Sequence, residues 1–365
     1  MSQILTFLGK GGTGRSTLAV AAARMAAQQG RRVLVVGDQS GHSLEPMLGA
    51  TLGPDPVVIA ANLSAVQLRS TPLLERSWSQ AKELEAQYLR NAFFKDIYPQ
   101  ELAVLPGMDQ ALALDALRRF DASNQFDCIV YDGSGNLDML RSLGIPEVAS
   151  WYWRRGSKAF LDSDLAKSLR PFAEPLLRAV SSVDIPSLDD LPNQLGGTRN
   201  FLTEGREALA DPLRVLAHVV TTADPIAVQT AKFMWGSAQM IGLTVGSVLV
   251  TPMAEGSIAP EVFAPLALRT VPKLSGDPAA LESALTGLFA KPDVPKPVDV
   301  DEAARTVKLF IPGFSKQQIE LSQSGPELTI TAGDQRRNLS LPASLSGRQV
   351  SGAKFQEPFL VISFG

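Results

Sequence analysis

The sequence predicts an α/β fold, a mostly parallel sheet covered by helices, followed by a small all-β module. Three observations carry the prediction. Short apolar runs alternate with longer stretches of helical period through most of the chain, as expected of strands buried on both faces by crossover helices. A proline-rich stretch, Lys291-Pro292-Asp293-Val294-Pro295-Lys296-Pro297, then interrupts the pattern as a stiff, extended connector. Beyond it the helical period is lost, and short apolar runs alternate with Gly and Pro.

Taken in order, residues 4–8, 32–36, 102–105, 128–131, 216–222 and 247–250 read as buried strands of the sheet. Residues 16–29 read as the first helix, stopped by Gly30. Two helical insertions are expected, at about residues 71–98 and 151–209. In the first, Leu74 and Trp78 fall on one helical stripe. In the second, Leu161, Leu165, Leu169 and Phe172 do the same. Residues 307–311, 319–322, 328–331 and 359–363 read as strands of the all-β module. The expected domains are therefore 1–290 with its helical subdomain, a linker at 291–303, and 304–365.

Composition narrows the function classes. The 365 residues are 45% hydrophobic and 19% charged, a globular balance. The formal net charge of −3 argues against a general nucleic-acid binder. Cys128 is the chain's single cysteine, which rules out an internal disulfide framework or a cysteine zinc cluster from one chain. Neither a secretory leader nor a run of the ~18 apolar residues needed for a membrane span is legible. The reading is a cytoplasmic protein.

The chemistry is concentrated in Gly9-Lys10-Gly11-Gly12-Thr13-Gly14-Arg15-Ser16-Thr17, between the first strand and the first helix. Glycines there let backbone N–H groups wrap a phosphate, and the helix N-terminus adds partial positive charge. Ser16 stands where a hydroxyl would ligate Mg²⁺. Arg15 stands where this loop type ordinarily has lysine. A longer, forked guanidinium holds phosphate differently from a point charge, so nucleotide binding with slow hydrolysis is expected.

With Lys10 early in the loop, the segment resembles the deviant Walker A ATPases, which include the arsenite-pump and tail-anchored-protein targeting ATPases. The resemblance implies a homodimer binding ATP or ADP with Mg²⁺, in which Lys10 reaches the partner's nucleotide. Further stretches resemble the arsenite-pump and targeting branch. Gly37-Asp38-Gln39-Ser40-Gly41-His42-Ser43-Leu44 is similar to its D-P-A-H-S-L switch and puts Gln39 at the catalytic Asp position, with Asp38 one residue early. Either Asp38 orients the attacking water or that function is weakened. Leu105-Pro106-Gly107-Met108-Asp109-Gln110-Ala111-Leu112 is similar to the family's L-P-G-x-x-E-A-L segment. Asp132, after a buried strand, matches the acid that holds Mg²⁺ through water. The following family stretch T-A-P-T-G-H-T-L-R is here Gly133-Ser134-Gly135-Asn136-Leu137-Asp138-Met139-Leu140-Arg141, whose glycines suggest a mobile switch. Pro146-Glu147-Val148 with Trp151-Tyr152 continues the likeness. Thr251 stands at the adenine-reading Asn position, and Val271-Pro272-Lys273 matches the loop over the base.

The C-terminal stretch Val307-Lys308-Leu309-Phe310-Ile311-Pro312-Gly313-Phe314, with Leu339-Ser340-Leu341-Pro342 and Leu360-Val361-Ile362, resembles the α-crystallin domain of small heat-shock proteins. Targeting ATPases with such a module form a branch in photosynthetic lineages, which this chain resembles. The C-x-x-C zinc pair and metalloid cysteines of relatives are absent, so no zinc is expected. Two functions compete. One is an ATP-responsive dimer shielding hydrophobic client segments along Leu74, Trp78, Leu161, Leu165, Leu169 and Phe172. The other is a weakly or non-hydrolysing nucleotide-binding scaffold or sensor. Arsenite transport has support only at the level of the fold.

Overall fold

Apolar runs with no polar alternation need cover on both faces, and here they find it in a parallel sheet. The computed structural model describes residues 1–38, 44–88, 98–105, 107–162, 196–273 and 278–365. Along the chain, β1 (Gln3–Leu8), α1 (Arg15–Gln28), β2 (Val33–Gly37), α2 (Leu44–Leu48), β3 (Val57–Ala60), β4 (Leu63–Gln67) and α3 (Ser70–Tyr88) come first. They are followed by α4 (Met108–Ala122), β5 (Cys128–Asp132), α5 (Leu137–Leu143), α6 (Ile145–Asp162) and α7 (Gly196–Ala210). Then come β6 (Val215–Thr221), α8 (Pro225–Met240), β7 (Val245–Val250), β8 (Ala267–Thr270) and α9 (Pro278–Ala284). The eight-stranded sheet has the order β3-β4-β2-β5-β1-β6-β7-β8, with β3 alone antiparallel to its neighbour.

The first strand lies in the middle of this sheet, between β5 and β6, so the loop leaving β1 emerges among the carboxyl ends of its neighbours. That is where open α/β sheets bind ligands. Helix α1 covers the sheet with an alanine-rich face: Ala19, Ala22, Ala23 and Ala26 are fully buried against Leu5, Val35 and Val130. Small side chains let the helix backbone approach the strands closely.

One expected strand is absent and one unexpected strand is present. Residues 102–105 form no strand; Ala103 and Leu105 are exposed, and the run leads from a 3₁₀ turn at Pro99–Glu101 toward α4 without a neighbouring strand to pair with. The polar-interrupted segment Leu63–Gln67, in contrast, is a buried parallel strand beside β2.

The chain divides into two units: Met1–Leu68, Leu117–Gly144 and Glu207–Gly365 form one, Arg69–Ala116 and Ile145–Arg206 the other. In the second unit Leu74 is buried and Trp78 half-buried. Its exposed apolar face is instead on α6, where Ile145 (37% exposed), Val148 (48%) and Tyr152 (65%) recur at helical spacing. Leu161 lies in α6, and Leu165, Leu169 and Phe172 lie outside the described residues.

The C-terminal module belongs to the first unit. Strands β9 (Val298–Asp301), β10 (Thr306–Phe310), β14 (Val350–Gln356) and β15 (Phe359–Phe364) form an antiparallel sheet in the order β14-β15-β10-β9. Strands β11 (Ile319–Ser324), β12 (Glu327–Ala332) and β13 (Gln335–Ser340) form a second. Strand β9 falls inside the segment expected to be linker. Its Val-Asp-Val-Asp alternation suits an edge strand, and it pairs with β10.

This module does not hang free. Met240 at the end of α8 enters its apolar core with Val307, Leu309, Phe314, Leu328 and Ile362. Trp235 meets the Phe310 ring edge-on at 5.6 Å. Gln335 donates to Ser237, and Arg337 donates to the Gln239 carbonyl at 3.1 Å. Gly236 is the closest point: a Cβ there would lie 2.1 Å from the Pro312 carbonyl oxygen and 2.7 Å from the Phe314 ring.

Two predictions follow from these contacts. Gly236→Ala, which raises helix propensity by ~1 kcal/mol in an isolated helix, wedges the module from α8 and destabilises the chain by roughly 1–3 kcal/mol. Hydrogen exchange will show lost protection in β10–β13. His218 gives the second. It is fully buried, its Nε2–H donating to the Leu288 carbonyl at 3.0 Å and its Nδ1 accepting from Ser247 at 2.8 Å. Burial pushes its pKa down from 6.5 to about 4. The neutral ring's stabilisation is therefore complete above pH 6.5 and is lost as pH falls toward 4, by about 3 kcal/mol in all. Urea melts across that window measure the loss, and His218→Gln flattens that part of the profile.

Candidate functional site

The loop between β1 and α1 is shaped by its glycines. Gly9 has φ +143°, and a Cβ there would meet the Val220 carbonyl oxygen at 2.2 Å, so only glycine lets β1 run this close to β6 before turning. Thr13 donates its hydroxyl to the Lys10 carbonyl at 2.9 Å, tightening the turn. Helix α1 then begins with left-handed Gly14 as N-cap, no side-chain cap and no acidic residue in its first turn. Its leading N–H groups and the positive end of its dipole are left for an anion. Gly11 and Gly12 are exposed at the mouth, and Lys10 is exposed beside them.

Arg15 turns inward. Its guanidinium donates to the Gly133 carbonyl at 3.0 Å and lies beneath Gly135, where a Cβ would fall 1.8 Å from a guanidinium nitrogen. Gly9 N–H donates to the Gly135 carbonyl at 3.1 Å, tying the same loop to the phosphate loop. Asp132, at the end of β5, and Asp38, just after β2, both act electrostatically on Arg15. Burial lowers the Arg15 pKa, and the two carboxylates oppose that shift. Burial raises Asp132, against a hydrogen bond from Ser16 and the nearby Arg15 charge. Burial likewise raises Asp38 to about 6, opposed by a hydrogen bond from Tyr131 and added to by the Asp132 charge.

The register of the parallel strands explains the meeting. Gly37 stands opposite Asp132, so Asp38 emerges beside it, its N–H 3.5 Å from the Asp132 carbonyl. The Tyr131 hydroxyl donates to Asp38 Oδ2. Gly133 makes room for that tyrosine: a Cβ would sit 2.9 Å from its ring and 2.4 Å from Met139 Sδ. The two glycines of the loop thus have steric reasons as seats for Tyr131 and Arg15. Asn136 closes the loop by capping α5, accepting from Met139 N–H at 3.1 Å.

The donor set fits Mg²⁺. Asp132 Oδ1 is buried and has no hydrogen-bond partner among the described residues, and the Ser16 hydroxyl reaches the same carboxylate. An oxygen-only pair of hydroxyl and carboxylate is what Mg²⁺ bound chiefly through phosphate and water requires. Among the described residues no group of three or more His, Cys, Asp or Glu is placed to hold a metal ion by itself.

Of the other expected residues, Thr17 lies half-buried in the first turn of α1. Thr251 is fully buried, and its hydroxyl lies 3.0 Å from the Thr13 carbonyl and 3.2 Å from that of Thr221. It braces the phosphate loop from below rather than presenting a free hydroxyl. Pro272 is half-buried and Lys273 exposed, just beyond Val271, whose N–H continues the β7–β8 pairing. Gln39 and His42 lie outside the described residues. Tyr131 was missed from sequence because it reads as one more apolar strand residue; its one signal is a hydroxyl placed next to Asp132.

Removing the Arg15 charge tests this cluster. Arg15→Met leaves two partly buried carboxylates facing one another and costs roughly 3 kcal/mol or less at neutral pH, discounted for the guanidinium's partial exposure. The deficit shrinks as pH falls through the raised Asp38 pKa and the carboxyl is neutralised. Urea melts at neutral and mildly acidic pH measure both values; an equal deficit at the two pH values contradicts the cluster.

Comparison with known proteins bears on this geometry. The profile of the family described as anion-transporting ATPase matches residues 2–259, and that of the HSP20-like domain found in ArsA matches residues 302–364. A putative arsenical pump-driving ATPase of Chlorobaculum tepidum is 24% identical over 99% of this chain and 96% of its own length. A Mycobacterium tuberculosis protein is 28% identical over 100% of this chain and 96% of its own. The ATPase get3 of Schizosaccharomyces japonicus is 25% identical over 56% of this chain and 60% of its own.

Proposed function

The chain belongs to the anion-transporting ATPase family, and from that premise we propose that it is a homodimeric, slowly hydrolysing ATPase that shields apolar protein segments under nucleotide control. The observation that carries the nucleotide part is the uncapped N-terminus of α1 behind a glycine loop, with Ser16 and Asp132 joined beneath it. Mg²⁺ and ATP or ADP occupy this site, the phosphates on the loop N–H groups and the metal at Ser16 and Asp132. Slow hydrolysis is expected from Arg15, whose guanidinium is hydrogen-bonded to Gly133 and feels the charges of Asp132 and Asp38. Lys10, exposed at the loop mouth, reaches the partner protomer's nucleotide, as the resemblance implies.

The client part is supported by the apolar stripe Ile145, Val148 and Tyr152 on α6. Positions i, i+3 and i+7 form one helical face, the geometry that packs against another apolar helix. Of the residues expected to meet a client, Leu74 is buried. Among the described residues no helix is long and apolar enough to cross a membrane. The docked HSP20-like module has Phe314 and Leu309 already packed with Met240, so its role is within the chain.

A specific observation favours a second reading, a nucleotide sensor without useful turnover. Arg15 points to the loop after β5 rather than to the mouth of the phosphate loop. Arsenite handling, suggested by the names of relatives, is less well supported. Cys128, the one cysteine, is buried, with its thiol pushed up to about 12, whereas soft metalloids require accessible thiolates.

Titration calorimetry with Mg²⁺ and ATP is expected to show binding, and Lys10→Ala is expected to weaken dimer closure or hydrolysis while leaving the fold intact. Turnover is expected to be slow and to rise with Arg15→Lys; binding without any turnover establishes the sensor reading instead. Photocrosslinkers at 145, 148 and 152 are expected to label an added hydrophobic helix in a nucleotide-dependent way. Labelling indifferent to nucleotide contradicts the client role.

A further inference from the structure

We propose that Tyr131 is the positioning residue that makes Asp38 the water-orienting carboxylate of this site, in place of position 39. The inference rests on the hydrolysis reading and deepens it. One oxygen of Asp38, Oδ2, accepts the Tyr131 hydroxyl. The other, Oδ1, is buried and has no hydrogen-bond partner among the described residues. A buried carboxylate oxygen left unpaired is costly, and none of the described residues meets this one, so its lone pairs are open to a group from outside them. A water molecule in the nucleotide site satisfies that need.

The tyrosine is fixed rather than merely nearby. Its backbone carbonyl accepts the Thr6 hydroxyl at 2.9 Å, and its ring fills the space a side chain at position 133 would require. Strand pairing sets the rest: Val36 opposite Tyr131 and Gly37 opposite Asp132 bring Asp38 to the tyrosine hydroxyl with no freedom of register. Arg15 supplies the positive charge that keeps two carboxylates compatible in one pocket. Oδ1 is thereby held in a single orientation, and orientation of an attacking group is where a positioning residue contributes rate.

In the step served, the oxygen of water bonds to the γ-phosphorus as the bond to the bridging oxygen breaks. ADP departs with that electron pair. The proton released by water passes by way of Asp38 Oδ1 to the phosphate product, so Asp38 ends the cycle as it began.

Tyr131→Phe removes only the hydroxyl and keeps the ring in its seat. It is expected to lower kcat for ATP by roughly 10–100-fold while KM and the calorimetric Kd stay within about twofold, with an unchanged Tm. Asp38→Asn is expected to lower kcat further, and the double variant is expected to be no slower than Asp38→Asn. Gln39→Ala is expected to stay within about threefold of the parent. An unchanged kcat in Tyr131→Phe overturns the proposal, as does a loss of affinity and Tm in step with kcat. Should Tyr131→Phe fail to fold, the comparison of Asp38→Asn with Gln39→Ala decides: loss in the second with retention in the first overturns it. A parent chain that binds ATP without turning it over overturns the hydrolysis reading and this inference together. A parent that turns over while Tyr131→Phe matches it overturns this inference alone.

Discussion

Everything at the nucleotide end of the sheet depends on one guanidinium whose charge acts on two neighbouring carboxylates. Asp38 and Asp132 leave adjacent parallel strands one residue apart in register, with Gly37 opposite Asp132. Two carboxylates buried side by side would repel and neutralise. Arg15 at the first turn of α1 supplies the counter-charge, and its hydrogen bond to Gly133 fixes the loop that follows β5. A lysine, compact and lacking the planar fork, could not reach the Gly133 carbonyl in the same way. The substitution that weakens the usual phosphate contact therefore also builds a different local network. Gly133 and Gly135, the residues most unlike the family pattern here, are the ones whose missing side chains this network occupies.

A second close approach joins the C-terminal module to the same unit. Gly236 on α8 admits the Pro312 carbonyl, and Gly313, at φ +76°, lies against the Lys232 carbonyl in turn. Around this backbone contact Trp235, Phe310, Phe314 and Met240 form a continuous apolar junction. Asp334, in the turn between β12 and β13, pairs at 2.7 Å with Arg141 on α5, the helix that directly follows the Gly133–Gly135 loop. That exposed pair contributes little energy alone, but it places the module one short helix away from the nucleotide site.

Much of the fold was legible because burial on both faces leaves a plain mark. The strands at residues 4–8, 128–131 and 216–222 are dominated by apolar residues, and they form the centre of the sheet. Strand β4 was not legible because Ser64 and Gln67 interrupt it, although Gln67 is buried and donates to the Gly37 carbonyl at 3.1 Å. Residues 102–105 had the right composition but no partner strand. In the site, Ser16, Asp132, Arg15 and the glycines could be found because their chemistry requires fixed spacing along the chain. Tyr131 and the open face of α6 could not. The first acts through a cross-strand contact that only register reveals, and amphipathic stripes in sequence do not say which apolar positions stay covered.

The central claim is that this site holds magnesium and a nucleoside triphosphate with Asp38, steadied by Tyr131, facing the terminal phosphate. A crystal structure grown with Mg²⁺ and an ATP analogue whose γ-phosphate cannot be transferred tests it directly. The account predicts phosphates on the N–H groups of Gly11–Thr17, metal at Ser16 and Asp132, and an ordered water on Asp38 Oδ1 with the tyrosine contact to Oδ2 intact. A triphosphate seated with its water on Gln39, or Asp38 turned away with Tyr131 unpaired, would contradict it.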